Sequence, residues 1–263
     1  MFQDVVGGLP MIGVFLLFAL SGMLLYELGY ILGRWYQNRT PEEKEGPTGM
    51  IVGSILALMA FLLAITMGMA TDRYDTRRGL VMDEANAVGT AYLRAGYLPE
   101  PTATQSRELL GRYITLRIGP DNVEQAKVQV AQSRELLVEL WAIAAELARE
   151  DPTSPLLALY VDAVNEVIDV ENMRANAGIN VRVPDTVMLL LFVGSVLTLG
   201  MVGLSAGLTG RRSLLTAVAM IVVLGAVITL IVDIDRPEGG SVTVSQQPII
   251  ELADQIGVPV EPE

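Results

Sequence analysis

Four long apolar stretches constrain this chain more than any other feature of its sequence. They are Met11–Gly33, Met50–Ala70, Thr186–Leu208 and Leu214–Val232. Each has about 19–23 residues, the length that a helix needs to cross roughly 30 Å of hydrocarbon. Glu27 is the one charged residue within them. The stretches predict an integral membrane protein with four spans.

The composition excludes several classes of function. The chain has no cysteine and no histidine, so it lacks thiolate ligands, disulfides, the commonest metal ligand and the commonest general base. No HExxH, GxSxG or phosphate-binding glycine motif occurs. We therefore predict that the chain is not an enzyme and binds no cofactor or metal. A net charge of −12 argues against nucleic acid, whose phosphates require a basic surface.

The sequence between the second and third spans predicts further helices. No Gly or Pro interrupts Ala70–Arg78, so one helix should leave the membrane and continue to about Tyr97. Pro and Gly then delimit three more helices, from Pro101 to near Arg117, from Asp121 to about Glu150, and from Pro155 to about Ala177. Asp121 is the expected N-cap of the second of these, with Glu124 completing a capping box.

The predicted fold is an all-α membrane protein with a polar four-helix domain inserted between spans two and three. Its parts are 1–49, the first span and a short basic loop; 50–70, the second span; 71–185, the polar domain; 186–234, the third and fourth spans; and 235–263, a short tail. In the last polar helix, helical spacing predicts a core-facing stripe of Leu156, Leu159, Tyr160, Ala163, Val167, Val170 and Met173.

The orientation of the polar domain is open to two interpretations. The short loops between paired spans carry Arg34, Arg39, Lys44, Arg211 and Arg212, which the positive-inside rule places in the cytoplasm. The polar domain would then lie outside. Arginines near the opposite membrane face argue the other way, namely Arg73, Arg77, Arg78, Arg174, Arg182 and Arg236.

A cluster of charged residues follows the second span. Arg73, Arg77 and Glu84 fall within about 40° of one another on one helix face, with Asn86 close by in sequence. Arginines at a membrane exit attract anions, and Glu84 can hold them in position. The alternative is a structural role, in which the cluster contacts lipid headgroups and forms a salt bridge within the helical bundle.

Two features of the spans favour structural interpretations. Arg34 lies within about 20° of Glu27 on the first helix, which favours an interfacial salt bridge over a proton-linked or cation-linked role for Glu27. The pairs Gly29–Gly33 and Gly203–Gly207 have GxxxG spacing, which permits close approach of two helices.

Three segments of the chain resemble a known family. They are AITMGMATDRYDTRRGLVMDEANAVGTAYLRAGYLPEP from residue 64, GLTGRR in the last short loop, and DIDRPEGGSVTV after span four. Together with the four-span layout they resemble a bestrophin-like family of bacterial and plant membrane proteins. In that family the Asp-Arg-Pro run recurs, which implies a structural corner at Asp235, Arg236 and Pro237.

The Arg-Tyr-x-x-Arg-Arg cluster of Arg73, Tyr74, Arg77 and Arg78 after span two, and the two-plus-two arrangement of spans, distantly resemble bestrophins themselves. Bestrophins are pentameric anion channels whose second spans line the pore, with the large domain in the cytosol. The resemblance implies a homo-oligomeric channel for inorganic anions, surrounded by membrane lipid, in a bacterial inner (plasma) membrane. It implies gate candidates Ile55, Met59, Leu62, Leu63 and Met67, and an anion-attracting mouth at Arg73, Arg77 and Arg78. Lipid contact and bundle packing are the alternative roles for the gate candidates.

A second hypothesis comes from a different class of function. The chain would be a non-conducting membrane sensor or scaffold whose extracytoplasmic helical domain binds a partner. The loop charges and the absence of a polar stripe along the spans favour this hypothesis.

Overall fold

The computed structural model describes residues 8–39, 48–119, 123–179, 181–236 and 240–259. Across these residues the regular structure is helical, and no strand occurs. The α-helices are α1 (Met11–Arg39), α2 (Thr48–Arg94), α3 (Thr102–Arg117), α4 (Val123–Glu150), α5 (Pro155–Ile179), α6 (Asp185–Thr209), α7 (Leu214–Asp235) and α8 (Gln247–Gln255).

Four of these helices are long and apolar enough to cross a membrane, namely α1, α2, α6 and α7. A single 3₁₀ turn, Ala95–Tyr97, follows α2 directly, which confirms the predicted continuation of the second span to Tyr97. The helices α3, α4 and α5 lie where the Pro and Gly residues predicted them. The capping role predicted for Asp121 lies outside the described residues.

The chain divides into two compact units. The first comprises Met1–Asp72 and Arg182–Arg236, and the second comprises Arg73–Val181 and Pro237–Glu263. The division falls within α2, so this helix contributes residues to both units.

Glycines hold α1 against α6 in the first unit. A Cβ added at Gly29 would strike the carbonyl oxygen of Gly200, and one added at Gly203 would strike that of Tyr26. Gly33 and Gly207 face the opposite backbone in the same way. Only glycine allows two helix backbones to approach this closely, so the two predicted GxxxG pairs form one helix–helix contact.

Apolar side chains from α1, α2, α6 and α7 fill the core of the first unit. Phe18 is fully buried, and its ring meets that of Phe192 edge to face, with centroids 5.7 Å apart. Edge-to-face geometry places a positive ring edge against a negative ring face and is favourable beyond burial alone. Leu199 and Ile231 are among the fully buried side chains of this core.

The core of the second unit joins five helices. It contains Val88 of α2, Leu110 and Ile114 of α3, Leu140 of α4, Val164 of α5 and Ile249 of α8. Tyr160 is fully buried beside them, and its hydroxyl lies 3.0 Å from the hydroxyl of Ser106. A buried phenol needs such a partner because an unpaired polar group in a core is costly.

Two details of this unit differ from the predictions. The stripe on α5 is narrower than predicted, since Tyr160, Ala163, Val167 and Val170 are buried whereas Leu156, Leu159 and Met173 are exposed. The residues read as a short tail include α8, whose Ile249, Leu252 and Ala253 are buried in the core.

Candidate functional site

The spanning part of α2 has one buried face. At helical spacing, this face carries Val52, Met59, Leu63, Thr66 and Ala70, each at most 6% exposed. The hydroxyl of Thr66 donates to the carbonyl oxygen of Leu62 at 2.9 Å, so its polar group is satisfied within the helix. This face belongs to the core of the first unit.

The predicted gate residues lie on that buried side. Met59 and Leu63 are buried members of the core, and Ile55, Leu62 and Met67 pack against it partly buried. Met59 contacts α6, since its sulfur lies 3.0 Å from the position of a Cβ added at Gly194. The gating role predicted for the five residues stays a prediction.

The opposite face of α2 is exposed and carries a group of small residues, namely Gly53, Ser54, Ala57, Ala64 and Gly68. Phe61 lies among them at 61% exposed, and Met50, Leu58 and Ile65 are large apolar residues exposed on the same side of the helix. A Cβ added at Gly53 or Gly68 would meet no atom within 4 Å. The Ser54 hydroxyl bonds back to the carbonyl oxygen of Met50 at 2.9 Å.

The exposed faces of α1 and α7 have a different composition. They present large aliphatic side chains, namely Ile12, Leu16, Leu20, Leu24, Leu28 and Ile31 on α1, and Leu215, Val218, Val222 and Val223 on α7. Large aliphatic surfaces suit contact with lipid tails, whereas small residues suit a helix contact or a water-filled space. The exposed face of α2 thus differs from those of α1 and α7 in holding more small residues among its large ones.

Two carboxylates follow the small-residue face along α2. Asp72 and Asp75 are exposed and lie within about 40° of Gly68 around the helix axis. Arg77 lies about 180° from Gly68 and is only 7% exposed. Arg73 is half-buried, and Arg78 is exposed. Of the three arginines predicted to attract anions, Arg77 therefore points away from the exposed face.

Glu84 lies at the centre of a buried polar network in the second unit. Its side chain is 0% exposed. One carboxylate oxygen accepts hydrogen bonds from the Tyr113 hydroxyl and, at 2.8 Å, from Arg117 Nε. The other oxygen accepts from Arg174 Nη1. Two arginines and a phenol thus compensate the burial of one carboxylate.

The same network includes the segment before α8. Arg174 Nη2 donates to the side-chain oxygen of Gln246 at 2.5 Å and to the backbone carbonyl of Arg117 at 3.3 Å. Gln246 is the residue at which α8 begins. The Arg174 guanidinium on α5 therefore contacts α2, α3 and the residue that precedes α8.

Burial and charge shift the pKa values of the partners outside the spans. Burial, reinforced by the negative charge of Glu84, raises the pKa of Tyr113 well above its ordinary value, so the phenol stays protonated and donates. For Arg117, burial is the largest effect and lowers the pKa, but Glu84, Tyr113 and Glu171 together outweigh it and the net shift is upward. The network is therefore fixed in one protonation state near neutral pH.

Sequence spacing could not identify these partners. Glu84 was singled out with Arg73 and Arg77, but its partners Arg117 and Arg174 lie on α3 and α5. A pairing between residues so far apart in sequence leaves no periodic signal, and both arginines look like ordinary solvated charges in the sequence.

The remaining predicted site residues have structural surroundings. Asp235 is buried, and its carboxylate accepts from the backbone N–H of Val183 at 2.9 Å. Arg236 Nη1 donates to the carbonyl oxygen of Leu9 at 3.0 Å. Asn86 is exposed. Pro237 lies outside the described residues.

Glu27 forms an ion pair with a different arginine from the one predicted. Its carboxylate lies 2.5 Å from Arg212 Nη2, in the loop between α6 and α7. Arg34, the predicted partner, instead donates to the Gln37 side chain at 3.2 Å. The loop places Arg212 beside α1. The spacing of residues along α1 alone cannot predict a partner from another element.

No group of acidic side chains suited to a metal ion occurs among the residues that the structure describes.

The fold defines a class of protein. The chain is an all-helical integral membrane protein with four candidate spans, one of which exposes a group of small residues.

The family follows from comparison with known sequences. The model of the bestrophin-like domain matches residues 13–249, so the chain belongs to the bestrophin-like family. Curated proteins include no significant match to this chain.

Solved structures show the same fold. A crystal structure of a point mutant of a bacterial bestrophin homologue from Klebsiella pneumoniae is similar with a TM-score of 0.65, at 15% identity over 91% of this chain and 95% of that one. A second structure of the Klebsiella homologue gives a TM-score of 0.62 at 14% identity, over 92% and 95%. A structure described as a membrane protein gives 0.64 at 13% identity, over 94% and 98%.

Proposed function

We propose that this chain is the protomer of a homo-oligomeric ion channel in which the exposed face of α2 lines the pore. The observation that carries the proposal is the group of small residues on the exposed side of α2, where α1 and α7 expose mainly large aliphatic residues. A ring of such faces around a symmetry axis would leave room for hydrated ions. Membership of the bestrophin-like family supports this arrangement, and a pentamer is the assembly that the resemblance implies.

The polar helices complete the proposed architecture. In this proposal the second unit, with its buried Glu84 network, is a helical domain outside the membrane, inserted between the second and third spans. The protein would lie in a bacterial inner membrane.

Phe61 is the proposed constriction of the pore. Its ring is 61% exposed among the small residues of this face, and it lies near the middle of the second span. A ring of phenyl groups narrows a pore and can close it by expelling water. Met59 and Leu63 would then support the pore wall from behind.

The exposed face favours cations over anions. Rings of Asp or Glu select cations in channels, and rings of Arg or Lys select anions. Asp72 and Asp75 share the proposed pore face, whereas Arg77 lies behind it. Anion conduction, which the resemblance implies, remains the competing prediction, with Arg78 as its best-exposed candidate.

Reversal potentials in planar bilayers decide between the two ions. With the purified protein in a potassium chloride gradient, a reversal potential near the equilibrium potential of potassium would support a cation-selective carboxylate ring. Asp72→Asn together with Asp75→Asn should then move it toward zero, and Asp169→Asn, an exposed change on α5, should not. A reversal potential near that of chloride, sensitive to Arg78→Gln, would support anion conduction. Absence of current in folded, oligomeric protein would favour the scaffold hypothesis.

A further inference from the structure

The end of the first unit where α1 meets the α6–α7 loop concentrates positive charge. Four arginines lie there, Arg34 and Arg39 on α1 and Arg211 and Arg212 in the loop, and all four are exposed. Among the described residues at this end, Glu27 is the acidic side chain, and it already pairs with Arg212 at 2.5 Å. Among the described residues, the positive charge of this end is therefore only partly compensated; Glu42, Glu43 and Glu45, which follow in the sequence, lie outside them.

The structure places Arg34 against the loop that carries Arg211. Arg34 Nη1 lies 3.0 Å from the position that a Cβ would take on Gly210, so the guanidinium packs against the loop immediately before Arg211. Gly210 makes this approach possible because it has φ 66° and no side chain. The close glycine contact between α1 and α6 holds the two elements in place. An anionic ligand bound beside this loop is within reach of both arginine side chains and would offset their charge.

The first turn of α7 contributes to the same place. Ser213, directly after Arg212, caps this helix by accepting from the backbone N–H of Thr216 at 3.4 Å. The positive end of the α7 dipole thus lies beside the loop arginines, where it favours a bound anion.

Aromatic residues place this cluster at the boundary of the bilayer. Trp35 and Tyr36 are exposed at the end of α1, and the Arg39 guanidinium lies 4.0 Å from the centre of the Trp35 ring. The Arg212 guanidinium lies 5.2 Å from the Tyr30 ring. Exposed Trp and Tyr occupy the headgroup level of membranes, and basic side chains there attract anionic lipids.

We propose that Arg34 and Arg211 bind the phosphate of an anionic phospholipid at the junction of α1 and the α6–α7 loop. Glu27 limits the charge of this site by engaging Arg212. The inference does not depend on conduction, since it concerns α1 and the α6–α7 loop and not α2.

The test measures lipid retention by the purified full-length protein with native mass spectrometry, after exchange into phosphatidylglycerol or phosphatidylcholine. The native protein should retain phosphatidylglycerol preferentially. The double substitution Arg34→Gln and Arg211→Gln should weaken that retention at least about tenfold, since each arginine at an anionic surface contributes about fivefold. The matched control is Arg112→Gln with Arg149→Gln, two exposed arginines of the second unit, which should behave as the native protein does.

Two further measurements keep the proposal open to refutation. Thermal unfolding in phosphatidylcholine must be the same for the Arg34→Gln, Arg211→Gln protein as for the native protein, so that a loss of lipid is not a loss of fold. Glu27→Gln should strengthen phosphatidylglycerol retention, because it releases Arg212. Equal retention by native protein and the double variant would overturn the proposal. If millimolar inorganic phosphate raises the thermal midpoint of the native protein as much as phosphatidylglycerol does, the assignment to a lipid would be overturned.

Discussion

Arg174 on α5 pairs with Glu84 on α2, and the Glu84 carboxylate is completely shielded from solvent. The same carboxylate also pairs with Arg117 on α3. This relationship fixes α2 relative to α3 and α5 within the second unit. The network also includes the start of α8, because the Arg174 guanidinium donates to Gln246. A buried carboxylate with three partners is therefore the organising contact of the polar helices.

Glu84→Gln should destabilise the protein strongly. The substitution keeps the shape of the side chain but leaves the buried Arg117 without its counter-charge, and breaking a buried pair in this way costs about 3–5 kcal/mol. Denaturant unfolding of the full-length protein in detergent measures the effect. Glu135→Gln, an exposed change on α4, should stay within about 0.5 kcal/mol of the native protein. Equal stability of the two variants would show that the network contributes little.

Gly203→Ala should disrupt the contact between α1 and α6. The added methyl group would strike the Tyr26 carbonyl, a rigid backbone atom, so the helices must separate. Overpacking of this kind costs about 1–3 kcal/mol, and more where backbone must move. The thermal midpoint in detergent should fall. Gly13→Ala is the matched control on α1, because its Cβ would meet only ordinary contacts at 3.4 Å or more; a similar fall for both would contradict the account of this interface.

Leu252→Ala should loosen α8 from the second unit. Leu252 is buried and lies against Gly89 of α2, at 3.2 Å from the position of an added Cβ. Truncating a buried leucine to alanine costs about 2–5 kcal/mol. Limited proteolysis with thermolysin, which cleaves before apolar residues, should cut within α8 faster in this variant than in Glu251→Ala, which changes an exposed residue of the same helix. Identical cleavage rates would mean that α8 is not held by this contact.

The sequence predicts local features of this protein well and non-local ones poorly. Span lengths and the positions of Pro and Gly depend on neighbours within one or two helical turns, so α2 and α3 lie close to where the pattern placed them. The pairing of Glu27 with Arg212 was missed because it joins α1 to a distant loop. The helix α8 was missed because nine residues with three buried side chains give too short a periodic pattern.

The candidate pore illustrates the same limit. Hydropathy alone identifies the second span, but it does not say which side of that helix the rest of the protomer covers. The apolar residues Met59 and Leu63 attracted the gating prediction, and they are the ones that packing buries. The small residues opposite them carry little signal in a sequence, because glycine and alanine are common in spans for several reasons.

Thiol modification along α2 tests the central proposal most directly, since the chain contains no cysteine of its own. Ala64→Cys, on the small-residue face, should react with a membrane-impermeant charged methanethiosulfonate and reduce the current. Leu63→Cys, which is buried, and Leu28→Cys, on the aliphatic face of α1, should be unaffected because no water reaches them. If Ala64→Cys is as inert as Leu28→Cys in conducting protein, the face of α2 meets lipid or another helix, and the pore lies elsewhere.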